Sequence, residues 1–330
     1  MMRSPHFIAV AIRKSNQRIV IRNTPYVSIA QKFPFLKKPI LRGVIMLVES
    51  MAQGVKALSF SANVAAVETT EGAQTEELSS WAIVGSIATA FVLGMGLFVA
   101  LPHFLTALLT GRGTNPTTVN SPIFHLVDGF IKIGILLAYV YLIAMMKDIH
   151  RVFQYHGAEH KSIYAFEAGE ELTVENARKH SSLHPRCGTS FLFFLVLISV
   201  FVFSAVFPFL GLAQFSKIAF VNHLLMVVVK IVLMFPVAGL SYEFIKACAS
   251  RMGHPFFRAL VWPGMVLQHL TTREPTDEQL EVALASLRQV LNLEKSPSGE
   301  GVKVEESEIE IAQLSELGRV NANVDEFAEA

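Results

Sequence analysis

Residues 187–216 read CGTSFLFFLVLISVFVFSAVFPFLGLAQFS, thirty positions without a Lys, Arg, Asp or Glu. A bilayer core of about 30 Å is crossed by roughly 20 apolar residues in helical form. Hydrocarbon offers no water to backbone amides and carbonyls, so such a run must satisfy itself as a helix. A second charge-free run extends from Leu78 to Gly111. A buried helix of a large soluble protein is the competing reading, but it does not need apolar runs this long.

Working outward, four spans are expected at about 81–109, 124–146, 190–212 and 219–241. The second contains Asp128 and Lys132, four apart on one face and near one end, where they can pair or snorkel. The fourth contains Lys230 and is bent by Pro236. An ionisable side chain inside a span marks function by default, although Lys230 could also snorkel or bond a carbonyl. Only 17% of the 330 residues are charged, against about a quarter in a soluble domain. The net charge of +1 leaves no nucleic-acid footprint. The two cysteines, Cys187 and Cys248, make no disulfide framework, and residues 1–40 lack the apolar core of a signal peptide.

Short apolar runs at 7–12 and 18–22 predict a β-hairpin. Pro39 opens a helix over about 40–66, on which Arg42, Glu49 and Lys56 recur at heptad spacing. This narrow polar stripe suits a helix lying in the membrane interface or packed into the protein. Glu49 is expected to pair within the stripe with Arg42 or Lys56. Residues 67–79 are a polar linker, and Gly111 to Pro122 is a loop. Residues 242–272 look interfacial. Thr276 and Gln279 match a capping box for a helix reaching about 291. The acidic tail is expected to be disordered, apart from a short helix near 305–318.

The expected fold is therefore mainly α: a polytopic helical membrane protein of about four spans, with a small N-terminal β-hairpin and an amphipathic or interfacial helix. Its parts are a cytoplasmic region 1–79, a membrane domain 80–241 with a His-rich loop at 147–189, an interfacial region 242–291 and a tail 292–330. Ten Lys and Arg precede the first span and six lie in 147–189, whereas the two short loops hold only Arg112 and Lys217. The positive-inside rule then puts both termini and the 147–189 loop in the cytoplasm of a multi-pass protein of the cell membrane. The bilayer is the partner implied.

Five of the eleven histidines fall between His150 and His184. His156 and His160 are four apart, so on a helix both imidazoles leave one face. Two such nitrogens can hold a divalent cation, zinc above all. Glu159, in the order H-x-x-E-H, could serve as general base toward a water. A solvated face carrying a His pair is the bland alternative. Downstream, His180-Ser-Ser-Leu-His184-Pro-Arg-Cys187 adds two histidines and a thiol. The first cluster follows the second span and this one precedes the third, so neighbouring spans would bring them together. His156, His160, His184 and Cys187 could then form a tetrahedral site, or three of them an open one, with His180 as substitute for His184. Cys187 could instead be a small buried residue at a helix start. Arg186 is expected at lipid headgroups. Glu49 and Glu243 could reach the same face. Thr173 should cap a short helix over about 174–181, with Glu175 in its first turn.

Three motifs, Tyr155-His-Gly-Ala-Glu-His-Lys161, Thr173-Val-Glu-Asn through His184-Pro-Arg-Cys-Gly-Thr189, and Leu270-Thr-Thr-Arg-Glu-Pro275, resemble the YqhQ family. So does Arg42-Gly43 with Glu49-Ser50 and Gly54. The resemblance covers about residues 1–290. It implies a bacterial membrane protein of a group labelled predicted metal-dependent enzymes, a label resting on the same His, Glu and Cys pattern. That family carries a Gly-rich stretch before the Met-Met-Arg that here stands at Met1-Met2-Arg3. The functional expectation is a metal-dependent hydrolase facing the cytoplasm. The alternatives are a structural or sensory metal site, or a transporter component.

Overall fold

Two short apolar runs at the N-terminus build a small sheet, and this sheet carries the largest of three hydrophobic clusters among the described residues. The computed structural model describes residues 1–69, 80–110, 121–210, 212, 215–295 and 306–318. Strands β2 (Phe7–Arg13) and β3 (Ile19–Pro25) form the expected hairpin, with Ala11 opposite Ile21. A two-residue strand, β1 (Met2–Arg3), pairs with β2. The outer neighbour of β3 is β4 (Ser307–Ile311), giving the order β1-β2-β3-β4.

The strand β4 corrects the expectation of a disordered tail with a short helix. Residues 307–311 form a strand, and Leu314–Leu317 a single 3-10 turn. The sequence Glu308-Ile309-Glu310-Ile311 alternates with period two. Its acids meet basic partners across β3: Glu308 pairs with Arg22 at 2.7 Å, and Glu310 pairs with Lys14 and Arg18, each at 3.0 Å. Ile311 is buried against Ile19 and Ile21. The rest of the tail lies outside the described residues, as do most of the linker 67–79 and of the 111–122 loop.

Helix α11 (Asp277–Lys295) lies on the sheet. Leu280, Leu284, Leu287 and Leu291 recur at helical spacing and are all buried. The capping box is formed: Thr276 Oγ1 accepts from Gln279 N at 3.4 Å, and Gln279 Oε1 accepts from Thr276 N at 2.9 Å. Helices α6 (Lys147–Glu167) and α7 (Val174–Arg178) close this core through Ala158, Ala165 and Ala177. Thr173 caps α7 as its spacing suggested.

The remaining helices include the membrane part, although the one that bears Phe60 also reaches the sheet, where Arg22 of β3 lies over the Phe60 ring at 3.7 Å. After a single helical turn, α1 (Ile29–Lys32), comes α2 (Leu41–Thr69). Helix α3 (Ser80–Met95) runs through a π-helical turn, Gly96–Ala100, into α4 (Leu101–Leu109). Then follow α5 (Pro122–Ala144), α8 (Gly188–Leu210), α9 (Ala219–Ala249) and α10 (Pro255–Thr271). Five stretches are long and apolar enough to cross a bilayer: Leu41–Ala65, Val84–Leu109, Pro122–Ala144, Gly188–Leu210 and Ala219–Ala249. The four expected spans are among them, and the polar-striped helix is the fifth. Phe130, Phe201 and Phe235 point outward, while Phe124, Phe203 and Phe207 fill the interior. The outward face is what lipid chains tolerate, since hydrocarbon exacts no penalty for exposed apolar groups.

The charges on α2 do not pair within their stripe. Arg42 grips Glu243 of α9, its Nε donating at 2.6 Å and its Nη2 to the second oxygen. Glu49 instead accepts from Tyr26 Oη and Ile29 N, each at 2.5 Å, and from Ser28 Oγ at 3.1 Å. The α2 and α9 backbones come close enough that a Cβ on Gly43 would stand 3.0 Å from Gly239 O. That contact brings the guanidinium onto the carboxylate.

Candidate metal centre

Three elements meet where α5 and α8 end on the same side. Helix α6 begins three residues after α5 and carries His156 and His160 one turn apart, ring centroids 4.4 Å from each other. Cys187 immediately precedes α8, whose first turn its carbonyl holds by accepting from Ser190 N at 3.2 Å. The end of α10 closes the third side. One donor atom from each of His156, His160 and Cys187 lies within 4.8 Å of the others.

Backbone carbonyls orient both imidazoles. His156 Nδ1 donates to Thr271 O at 2.9 Å, and His160 Nδ1 donates to Ser182 O at 2.5 Å. A carbonyl only accepts, so each Nδ1 carries its proton and each Nε2 is left with a lone pair when the ring is neutral. A second bond of this kind is what metal-binding histidines ordinarily make. His156 Nε2 lies 3.1 Å from Cys187 Sγ, which also receives Thr189 N at 3.4 Å.

Electrostatics favour a thiolate. Burial pushes the Cys187 thiol up, but the bonds and charges of His156 and His160 outweigh it and hold it at about 5. Burial pulls His156 down, yet the bond and charge of Cys187, the Thr271 carbonyl and nearby Glu159 raise it to about 9. Without a metal the two therefore form a thiolate–imidazolium pair, the arrangement that activates cysteine nucleophiles. With a metal the same donors are two neutral imidazoles and a thiolate, a set suited to zinc. Glu159 is half-buried and lies next to His160 in the chain.

The other expected ligands have different partners. His184 is near, its ring centroid 5.7 Å from that of His160, but its Nε2 lies 3.4 Å from Glu167 and its Nδ1 accepts from Arg186 N. Burial and the charge of His160 lower it to about 4. His180 stacks on Tyr164 and bonds Glu170 at 3.0 Å. The donor group therefore narrows to His156, His160 and Cys187. Neither Glu49 nor Glu243 joins it, each being held by the α2 contacts. Arg186, expected at headgroups, forms an ion pair with Glu167.

Three positioning groups carry no signal of metal chemistry and escape a reading by motif. Gln268 of α10 is wholly buried; its Oε1 accepts from His184 N and its Nε2 donates to His184 O and Ser190 Oγ, all at 2.8 Å. Lys161 ties α6 to Arg178 O at 3.1 Å and Glu274 at 2.8 Å. Gly157 lets Arg273 O approach to where its Cβ would be, 2.2 Å away. Only Gly157 could have been suspected, as a glycine between the two site residues on a helix.

Comparisons with known proteins agree on kinship. Residues 38–293 match the family described as "Protein of unknown function (DUF1385)". The chain is 33% identical over 316 residues to the "Uncharacterized protein YqhQ" of Bacillus subtilis (strain 168), covering 89% of this chain and 90% of that one. No solved structure matches. With more than two thirds of its length matched, residues of the centre included, the chain belongs to the DUF1385 family.

Proposed function

We propose that this membrane protein binds one divalent cation, zinc most readily, through His156 Nε2, His160 Nε2 and Cys187 Sγ, and that the site is hydrolytic. One observation carries the reading: both Nδ1–H groups are engaged by backbone carbonyls, His156 Nε2 lies 3.1 Å from Cys187 Sγ, and a donor atom of each of the three residues falls within 4.8 Å of the others. Three protein ligands leave a fourth position open, as in catalytic rather than closed structural zinc sites. The bound ion would supply a Lewis acid that brings the pKa of a water toward about 7. Glu159, adjacent to His160, would take up that water's proton and return it to the leaving group. The lysine and arginine distribution puts the centre on the cytoplasmic side, so a substrate would arrive from the cytosol or the inner leaflet.

The test uses the full-length protein in detergent, loaded with cobalt(II). The expected result is about one metal per chain and a thiolate-to-cobalt charge-transfer band. Both should be lost in Cys187→Ser and reduced in His156→Ala, whereas Glu159→Gln keeps the metal. A wild type that takes up neither zinc nor cobalt overturns the reading. If such a protein is alkylated at Cys187 by iodoacetamide at pH 6, the thiolate–imidazolium pair takes its place.

A structural or sensory metal site is the second reading, favoured by the burial of His160 and Cys187. Cobalt spectra separate the two. A band insensitive to added azide indicates a closed shell, and one that shifts indicates an exchangeable position.

A further inference from the structure

Well away from the His–Cys centre, the spans bury a second set of polar side chains. Lys230 of α9, 0% exposed, donates to Asp128 Oδ2 of α5 at 2.8 Å and lies 3.1 Å from His103 Nδ1 of α4. Lys132, one turn from Asp128, donates to the same oxygen at 2.8 Å. His103 Nε2 is 3.0 Å from His223 Nδ1. The chain His223–His103–Lys230–Asp128–Lys132 thus links three helices through polar contacts. Two groups on α5, one in the chain and one beside it, lack partners. Asp128 Oδ1 is buried without a hydrogen-bond partner, and so are both ring nitrogens of His125, 1% exposed and one turn earlier on the same face of α5.

The order of the helices fixes the depth of this set. His223 lies in the second turn of α9, His103 two turns before the end of α4, and Asp128 in the second turn of α5. All three helix ends belong to the side opposite the His–Cys centre. Lys132 is about 15 Å along α5 from its start, near mid-span. Beyond it α5 presents Leu136 and Val140, packed with Leu267, Phe98 and Phe193. The polar chain therefore reaches inward from one face and stops at an apolar layer. Helix α8 adds Phe203 and Phe207 but nothing titratable. Arg258 and His269 of α10 are exposed.

Two ammonium groups against one carboxylate leave a surplus positive charge when the three histidines are neutral. Uncompensated charge is costly in so apolar an interior, and intramembrane Asp, Lys and His in mutual contact are the material of proton relays. A metal cation is disfavoured because both ammonium groups already occupy one oxygen of the cluster's sole carboxylate. We propose that this chain is a buried proton-exchange site, in which Lys230 gives up the surplus proton through His103 and His223 to water at the α4–α5–α9 end and takes one back by the same route. Only N–H and O–H bonds form and break, and water at that face supplies and receives the proton.

The test is histidine-selective 15N NMR of the full-length protein in micelles between pH 5 and 9, in chloride and in gluconate. The expected result is that His103 and His223 change together with one midpoint, the same in both salts. Lys132→Gln, which keeps the Asp128–Lys230 pair, should move that midpoint by about one unit, a tenfold change in proton affinity. A wild type whose two signals stay fixed across the range overturns the proposal in favour of a static ion cluster. A change that needs chloride overturns it in favour of an anion site, and an unmoved midpoint in Lys132→Gln overturns the coupling. The wild-type measurement decides even if the variant does not fold.

Discussion

At Cys187 two opposing effects meet, burial that disfavours a thiolate and two imidazoles that favour it, and the imidazoles win. The sign of the pH dependence follows. A thiol whose folded pKa is depressed is ionised above about 5, and its reactivity disappears as the pH falls through that value. In metal-stripped protein, iodoacetamide should therefore modify Cys187 at pH 6, while His156→Ala should slow the reaction at that pH at least tenfold, because removing a partner of this kind returns the thiol toward its ordinary range. Mass mapping of the modified peptide checks it. Equal rates in both proteins would contradict the role given to His156. Gln268 makes a second prediction. Gln268→Ala strands the His184 amide inside the protein and leaves its carbonyl only the bond from Cys187 N at 3.2 Å, at a cost of about 1–3 kcal/mol for the buried group so stranded. The thermal midpoint in detergent should fall, and cobalt affinity should fall with it. At this scale the sequence disclosed that His156 and His160 lie together, because imidazoles four apart on a helix share a face. It did not disclose that His184 and His180 turn toward Glu167 and Glu170, because no local spacing pairs residues seventeen and ten positions apart.

Among the elements, α6 depends most on its smallest residue. At Gly157→Ala the added Cβ would meet Arg273 O at 2.2 Å, and that carbonyl is fixed because Arg273 N donates to Phe153 O at 2.9 Å. Overpacking of this kind costs about 1–3 kcal/mol, more than the roughly 1 kcal/mol that alanine gains over glycine in a helix. Gly157→Ala should therefore lower stability and reduce metal stoichiometry together, as read by thermal unfolding and elemental analysis. A stabilised variant would show that α6 and the 273–275 segment are not in contact. The caps of α7 and α11 could be read directly from Thr173 and from Thr276 with Gln279, since capping is local chemistry. The partner of Arg42 could not, because Glu243 is distant in sequence and a stripe pattern names a face without naming what faces it.

The whole molecule closes on itself through its distant ends. Strand β4 completes the sheet, and Arg288 of α11 donates to Leu314 O at 3.2 Å and Gly318 O at 2.9 Å beyond it. Ending the chain after Lys295 would uncover Ile19 and Ile21 and leave β3 an unpaired edge, a recognised liability. Amides of residues 19–23 should then exchange with deuterium at least tenfold faster, while those of α5 and α8 stay protected. Unchanged exchange in 19–23 would contradict the pairing. For the orientation, alkaline phosphatase fused after Leu109 should be active and after Glu167 inactive, as the lysine and arginine distribution requires. The opposite pattern would put the His–Cys centre outside.

Composition and periodicity were enough to establish a helical membrane protein, an N-terminal hairpin and a pair of histidines on one helix face. Each depends on residues near one another in the chain, whose side-chain period the backbone itself imposes. Three matters were left to the tertiary structure: that His180 and His184 turn away from the group formed by those histidines and Cys187, that the acidic tail contains a strand, and that His103, Asp128 and Lys230 meet inside the spans. These depend on which helices and strands become neighbours. Neighbours are chosen by packing across the whole chain, and no local pattern encodes that choice.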